Sequence, residues 1–200
     1  NHNVSIIGSS GSGKSVLMQE LVTGLRGGGA WVTVIDDGES FKHMCEAVEG
    51  AHVKFTLQAD ICLNPFSLLD EQMAEADKDY AADSLSLVRA MVEQMAKGDE
   101  RATAEERGLI DSAVNTVWKT KGGKGGVDDV AAALRADEKV SQSLANALKP
   151  YTTAGLFGAF FNGEASLSVD NPLTVFEMKN LEAKPELRSV VMLALMFLIN

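Results

Sequence analysis

Residues 8–15 read Gly-Ser-Ser-Gly-Ser-Gly-Lys-Ser, a complete G-x-x-x-x-G-K-[S/T] phosphate-binding loop. An apolar, strand-like run at residues 4–7 precedes the loop, and a run with helical spacing at residues 16–25 follows it. The pattern predicts a buried strand, a tight glycine-containing turn and a helix, the setting in which this motif binds phosphate. No other feature constrains the fold as strongly, since this order favours a parallel sheet covered by crossover helices.

The loop residues have distinct predicted roles. Its glycines allow the backbone to form a concave nest of N–H groups, and the following helix adds its positive N-terminal end. Lys14 is predicted to reach the β- and γ-phosphates of a nucleoside triphosphate, and the Ser15 hydroxyl to ligate Mg²⁺. The predicted nucleotide contacts are Gly8, Ser9, Ser10, Gly11, Ser12, Gly13, Lys14 and Ser15.

Strand-like and helix-like runs alternate in the first part of the chain and then give way to helices. Strands are predicted at residues 31–35 and 53–56, with a helix over 41–48 that takes Ser40 as its N-cap. Helices are then predicted over 70–96, over 104–119 with Thr103 as a cap, and over 128–136 and 141–148. Strand character returns at 173–177, and a buried helix begins at Pro185.

The predicted fold class is α/β, a parallel P-loop sheet with an inserted all-helical subdomain. Residues 1–69 are assigned to the first part of the nucleotide-binding domain, 70–150 to the helical insertion and 151–200 to the return into that domain. The chain has no initiating methionine and ends within a helical pattern. We therefore expect it to be a segment of a larger protein.

Composition argues against several kinds of binding site and predicts the cellular location of the chain. A formal net charge of −10 disfavours a general nucleic-acid-binding surface. Cys45 and Cys62 lack metal-type spacing and are interpreted as reduced core thiols, and the three histidines show no paired ligand pattern. There is no signal peptide, and the longest apolar run, residues 190–199, is too short to cross a bilayer. These features predict a cytoplasmic protein.

Hydrolysis of a nucleoside triphosphate also needs an acid that organises Mg²⁺ and water, usually at the end of a second apolar strand. Two runs fit this description, residues 32–37 with Asp36 and residues 173–177 with Glu177. Spacing alone does not choose between them. Either acid could instead cap its own strand end or the next helix.

Several short segments, in their order along the chain, resemble one family. The residues Asn3-Val4 lead into GSSGSGKS, followed by VIDDGESF at 34–41, LNPF at 63–66, LFGAFFNG at 156–163 and TVFEMKNLEAKPELRSVVMLALMFLI at 174–199. This order is similar to the ATPases that drive type IV secretion and conjugation, the TraC-like group of the HerA–FtsK class. The resemblance spans almost the whole chain.

The resemblance implies a RecA-like sheet with a helical insertion, working as an ATP- and Mg²⁺-dependent motor. It also implies a homo-oligomer, commonly a hexamer, held at the cytoplasmic face of the inner membrane by other secretion-system subunits. Lys14 and Ser15 become the triphosphate and magnesium contacts, and Asp36 and Glu39 become catalytic candidates beside the loop. Glu177 falls on the strand before the family's magnesium-acid strand, which argues against it as that acid.

The chain departs from the family pattern because the Asp-Glu strand that should follow residues 190–199 is missing, as are the later sensor and arginine-finger segments. We therefore expect the chain by itself to bind nucleotide but to hydrolyse it poorly. Three other interpretations stay open: a DNA-translocating relative, a small-molecule kinase, and a helical insertion that serves as a docking platform. The acidic charge disfavours the first, and the lack of an arginine cluster in the insertion disfavours the second.

Overall fold

The computed structural model describes residues 4–9, 11–58, 60–135 and 139–199. The strands are β1 (Val32–Asp36), β2 (Ala51–Lys54) and β3 (Leu173–Glu177). The helices are α1 (Lys14–Gly27), α2 (Lys42–Ala47), α3 (Glu71–Ala76), α4 (Lys78–Lys97), α5 (Ala104–Lys121), α6 (Val127–Leu134), α7 (Lys139–Ala147), α8 (Gly158–Phe161) and α9 (Pro185–Ile199). The predicted end of one helix at Ala136 lies outside the described residues.

Contacts divide the chain into two compact units. The sheet unit comprises residues 1–56 and 169–180, and the helical unit comprises residues 57–168 and 181–200. The predicted segments 1–69, 70–150 and 151–200 stay a prediction, because compact units defined by contacts need not coincide with the limits of an insertion.

The sheet unit has three strands in the order β1-β3-β2, and both pairs are parallel as predicted. All five residues of β3 are buried because the strand is central and apolar. The unit's core is made by residues from α1, α2 and β3 and by the residue before α2, namely Val22, Cys45, Leu173, Val175 and Phe41. The register places Asp36 and Lys54 on either side of Glu177. Three charged residues therefore end neighbouring strands at one edge of the sheet.

The predicted buried strand at residues 4–7 is wrong. These residues form no strand, and the side chains of Val4 and Ile7 are 83% and 93% exposed. They pair with none of the described strands, and an apolar run without a pairing partner cannot bury its backbone N–H and C=O groups. The regularly spaced leucines of α1, at positions 17, 21 and 25, are likewise exposed, and Val22 supplies the buried contact.

In the helical unit, α4 packs against α5 and α9. The predicted single helix over 70–96 is instead two helices, α3 and α4, separated by Asp77. Asp77 adopts an extended conformation and its carboxylate accepts the N–H groups of Asp79 and Tyr80. An aspartate that can cap a new helix competes with continuation of the old one. Among the described helices, none is both long and apolar enough to span a membrane.

The two predicted helix caps have different outcomes. Thr103 caps α5 as expected: its hydroxyl accepts the N–H of Glu106 at 3.2 Å, and the Glu106 carboxylate accepts the N–H of Thr103 at 2.8 Å. Ser40 is not the cap of α2, which begins one residue later than predicted, after Phe41. The N–H of Phe41 is bound by the carboxylate of Asp36, a strand residue that local propensity does not reveal.

Replacing Thr103 by alanine should destabilise the start of α5 by about 1 kcal/mol, because one N–H of its first turn loses its acceptor. The measurement is hydrogen exchange across α5 in the full-length protein, which should be faster in the first turn. Thr116→Ala, an exposed change in the same helix, serves as control and should alter stability by less than about 0.5 kcal/mol. Equal effects of the two changes would contradict the capping role.

Candidate nucleotide-binding site

The phosphate-loop motif begins α1 directly. Gly11 and Gly13 have φ angles of 76° and 86°, a left-handed conformation that strongly favours glycine. The N–H of Ser12 donates to the carbonyl of Ser9 at 3.2 Å and closes the turn. Ser10, one of the predicted contacts, lies outside the described residues. The motif's glycines therefore stand where the backbone of the loop requires them.

Lys14 folds back over the loop. Its ammonium donates to the carbonyls of Gly8 and Ser9, each at 2.7 Å. A Cβ on Gly8 would lie 2.5 Å from the hydroxyl of Ser12, so the loop has no room for a larger residue there unless that side chain moves. A fixed ammonium, glycine backbone and a helix N-terminus together fit the phosphates of a nucleotide.

Helix α1 also contacts residues 37–41, the loop after β1. We call this loop the acidic loop. The side-chain amide of Gln19 donates to the carbonyl of Ser40 at 2.5 Å. Gln19 lies four residues after Ser15, so both occupy the same face of α1, one turn apart. The acidic loop therefore lies on the side of α1 that carries the predicted magnesium ligand.

The two competing acids, Asp36 and Glu177, are both buried and paired in register across β1 and β3. Asp36 accepts the N–H of Phe41 through Oδ2 at 3.1 Å, and its own carbonyl accepts the N–H of Met178 at 2.9 Å. Asp36 thus closes the acidic loop at the start of α2. Among the described residues no side chain caps the first turn of α2 itself, so Asp36 binds the residue before the helix.

Glu177 anchors the other end of the acidic loop and is fully buried. Its Oε2 accepts the N–H of Glu39 at 2.6 Å, and its Oε1 accepts the N–H groups of Gly38 and Lys179 at 3.2 and 2.8 Å. Sequence reasoning missed this anchoring role. The sequence did contain a signal for it: an acidic residue ends an apolar strand, and the carboxyl ends of parallel strands lie close together.

Glu39, the remaining catalytic candidate, is a non-glycine residue with φ of 57°. Its carboxylate is bound by the ammonium of Lys54 at 2.5 Å, and the two side chains are 39% and 37% exposed. This hydrogen bond and the charge of Lys54 lower the pKa of Glu39, and the same bond raises the pKa of Lys54. Lys54 was not among the predicted site residues, because its link to Glu39 depends on the sheet.

Two of the later family motifs, residues 63–66 and 156–163, lie in the helical unit and link its loops by hydrogen bonds. Asn64 of LNPF is buried, and its amide donates to the carbonyls of Gly125 and Gly163 at 2.7 Å each. Its Oδ1 accepts the N–H of Phe66 at 3.1 Å. Asn162 of LFGAFFNG similarly links two neighbouring segments, through the N–H of Asp128 and the carbonyls of Tyr151 and Gly158. These motifs preserve the packing of the helical unit.

Comparison with known proteins gives three findings. The family described as the TraG P-loop domain matches residues 1–127. The chain is 29% identical over 213 residues to Protein TraC of Escherichia coli (strain K12), covering 100% of this chain and 23% of TraC. Its structure resembles VirB4 of Thermoanaerobacter pseudethanolicus with a TM-score of 0.75 and 17% identity, covering 94% of this chain and 53% of that one. The last match confirms the predicted α/β fold class.

Proposed function

The chain belongs to the TraG P-loop domain family, and from that premise we propose that it is the nucleotide-binding part of an ATPase that powers type IV secretion or conjugation. The chain spans 23% of TraC and 53% of the VirB4 chain. The motor activity is therefore proposed for the full-length protein. The observation that carries the proposal is the Lys14 ammonium, held at 2.7 Å from two loop carbonyls beside the start of α1.

Residues 8–15 supply the nucleotide contacts in this proposal. Lys14 binds the β- and γ-phosphates, the loop backbone donates to phosphate oxygens, and the Ser15 hydroxyl holds Mg²⁺. Mg²⁺ held by Ser15 would supply positive charge that offsets the charge of the phosphates. Ser15 suits this role because it is exposed on the first turn of α1. The face that it shares with Gln19 also turns it toward the acidic loop.

Glu39 lies in the acidic loop and is assigned a catalytic role, whereas Asp36, at the end of β1, is assigned a structural role. The Glu39 carboxylate is partly exposed, so water and substrate can reach it. A glutamate carboxylate is ionised at neutral pH, as a group that orients water must be, and the hydrogen bond from Lys54 lowers its pKa further. Asp36 is buried and already binds the N–H of Phe41. We assign Glu39 to the attacking water and Asp36 to holding the loop around it.

Replacing Glu39 by glutamine tests this assignment. We expect ATP hydrolysis by the full-length protein to fall about 10²-fold or more, since a positioned base contributes on that scale, while ATP affinity stays close to wild type. Glu49→Gln is a matched control, because Glu49 is exposed and shares a positive φ, 54° against 57° for Glu39. A Glu39→Gln protein that hydrolyses ATP at the wild-type rate would remove Glu39 from the mechanism.

The proposed function also includes an oligomeric state and a cellular location for the full-length protein. The full-length protein would act as a homo-oligomer, commonly a hexamer, held at the cytoplasmic face of the inner membrane by other secretion-system subunits. The net charge of −10 makes direct nucleic-acid binding by this chain unfavourable, so contact with a nucleic-acid substrate is assigned elsewhere in the apparatus. Mass measurement of the full-length protein with and without ATP tests the ring, and a monomer under both conditions would contradict it.

A further inference from the structure

We propose that Lys54 is a positioning residue that holds the Glu39 carboxylate in the orientation needed for hydrolysis. Its ammonium lies 2.5 Å from Glu39 Oε1. The inference rests on the proposed function, because it takes Glu39 as the residue that acts on water. It adds a second requirement: the carboxylate needs a partner from another strand to stay in place.

The backbone of Glu39 is already fixed before its side chain is considered. Its φ of 57° is unfavourable for a residue with a Cβ and persists only where the surroundings enforce it. Glu177 provides that enforcement, accepting the N–H groups of Glu39 and Gly38 at 2.6 and 3.2 Å. The carboxylate that makes these bonds is fully buried at the end of the central strand. The remaining freedom of Glu39 lies in its side-chain rotamers.

Lys54 removes that remaining freedom. It ends β2, and its Cα is in register with Glu177, so its side chain starts from a fixed point of the sheet. A partly exposed lysine–glutamate pair contributes little to the free energy of unfolding. The contact therefore matters chiefly for geometry, because it selects one direction for the Glu39 carboxylate. Misplacement of a reacting group by about 1 Å can lower a rate about 10²-fold.

Charges from several elements act on this pair. Lys54 contributes most to the lowered pKa of Glu39, and Lys42 of α2 and Lys179 after β3 contribute less. Glu177 and Glu46 act on Lys54 and, with Glu39, raise its pKa. Only ionised Glu39 can accept a proton, so the acid limb of the rate profile follows its pKa. Removal of the Lys54 charge raises that pKa and moves the acid limb to higher pH.

The test compares Lys54→Met, Lys54→Arg and the control Lys42→Met in the full-length protein, measuring kcat, KM for ATP and the rate from pH 4 to 8. Lys54→Met should lower kcat about 10- to 100-fold, leave KM within about twofold and shift the acid limb to higher pH. Lys54→Arg should restore most of kcat, because it keeps the charge and the donor. Lys42→Met should change kcat less than about twofold, since Lys42 acts on Glu39 through charge alone.

The outcomes separate this inference from the function on which it rests. If Lys54→Met retains the wild-type kcat and acid limb while Glu39→Gln loses hydrolysis, Lys54 has no positioning role and the proposed function stands. If Glu39→Gln retains hydrolysis, the assignment of Glu39 fails and the inference fails with it. A fall in kcat that Lys54→Arg does not restore, accompanied by a lower melting temperature, would assign Lys54 to folding and overturn the inference.

Discussion

Lys14→Ala is expected to lower ATP hydrolysis by the full-length protein about 10²- to 10³-fold, the scale for loss of one preorganised charged donor at a developing negative charge. The ammonium that donates to Gly8 and Ser9 is removed together with its contact to the phosphates. Affinity for ATP should also weaken. Folding should survive, because Gly11 and Gly13, whose left-handed conformations shape the loop, are unchanged.

The measurement is steady-state phosphate release together with titration of a fluorescent ATP analogue, with thermal denaturation as the check on folding. Lys139→Ala is the control, an exposed lysine at the start of α7, and it should leave all three quantities near wild type. Wild-type hydrolysis by a folded Lys14→Ala protein would show that the loop is not the site of turnover. Loss of substrate transfer along with hydrolysis would support the motor proposal.

Asn64→Ala is expected to destabilise the helical unit by about 2–4 kcal/mol. Asn64 is 1% exposed, and truncation leaves the carbonyl of buried Gly125 without its side-chain donor and the N–H of buried Phe66 without its acceptor, while the carbonyl of exposed Gly163 keeps the Ser67 hydroxyl as a donor at 3.5 Å. Each buried polar group left unsatisfied costs about 1–3 kcal/mol. Because the two carbonyls are far apart in sequence, one truncation loosens two loops together.

Hydrogen exchange over residues 57–168 of the full-length protein measures this effect, since local stability sets the exchange rate of protected amides. Asn146→Ala, an exposed change on α7, is the control and should shift stability by less than about 0.5 kcal/mol. If Asn64→Ala changes the stability of the helical unit by less than about 0.5 kcal/mol, the hydrogen bonds of Asn64 do not stabilise that unit. As a second check, Asn64→Ala should leave ATP affinity near wild type, because the residues proposed to bind ATP belong to the sheet unit.

Features encoded within a few residues were predictable from the sequence. The ordered motifs from the phosphate loop to residues 174–199 led to the correct family and fold class, and Thr103 caps α5 as predicted. The apolar runs at β1 and β3 became parallel neighbours in the sheet. Each of these signals consists of residue types at fixed short spacing, whose effect on the backbone depends little on the rest of the chain.

The errors involve features that depend on a competing or distant partner. Residues 4–7 have strand composition, but a strand requires a hydrogen-bonded neighbour, and these residues pair with none of the described strands. The helix predicted over 70–96 broke at Asp77 because a cap for α4 competed with continuation of α3. The helix predicted to follow Ser40 begins after Phe41 instead, and the N–H of Phe41 binds Asp36 at the end of the preceding strand.

The sequence by itself determined the phosphate loop, the parallel α/β architecture and the family. Which groups each acid binds was decided only by the tertiary structure. Glu177 binds the N–H of Glu39 across 138 residues of sequence, and Lys54 reaches the same glutamate from another strand. Such contacts exist only because parallel strands bring their carboxyl ends to one edge of the sheet. Local propensity describes one segment at a time, and the environment of Glu39 is assembled from three strand ends and α1.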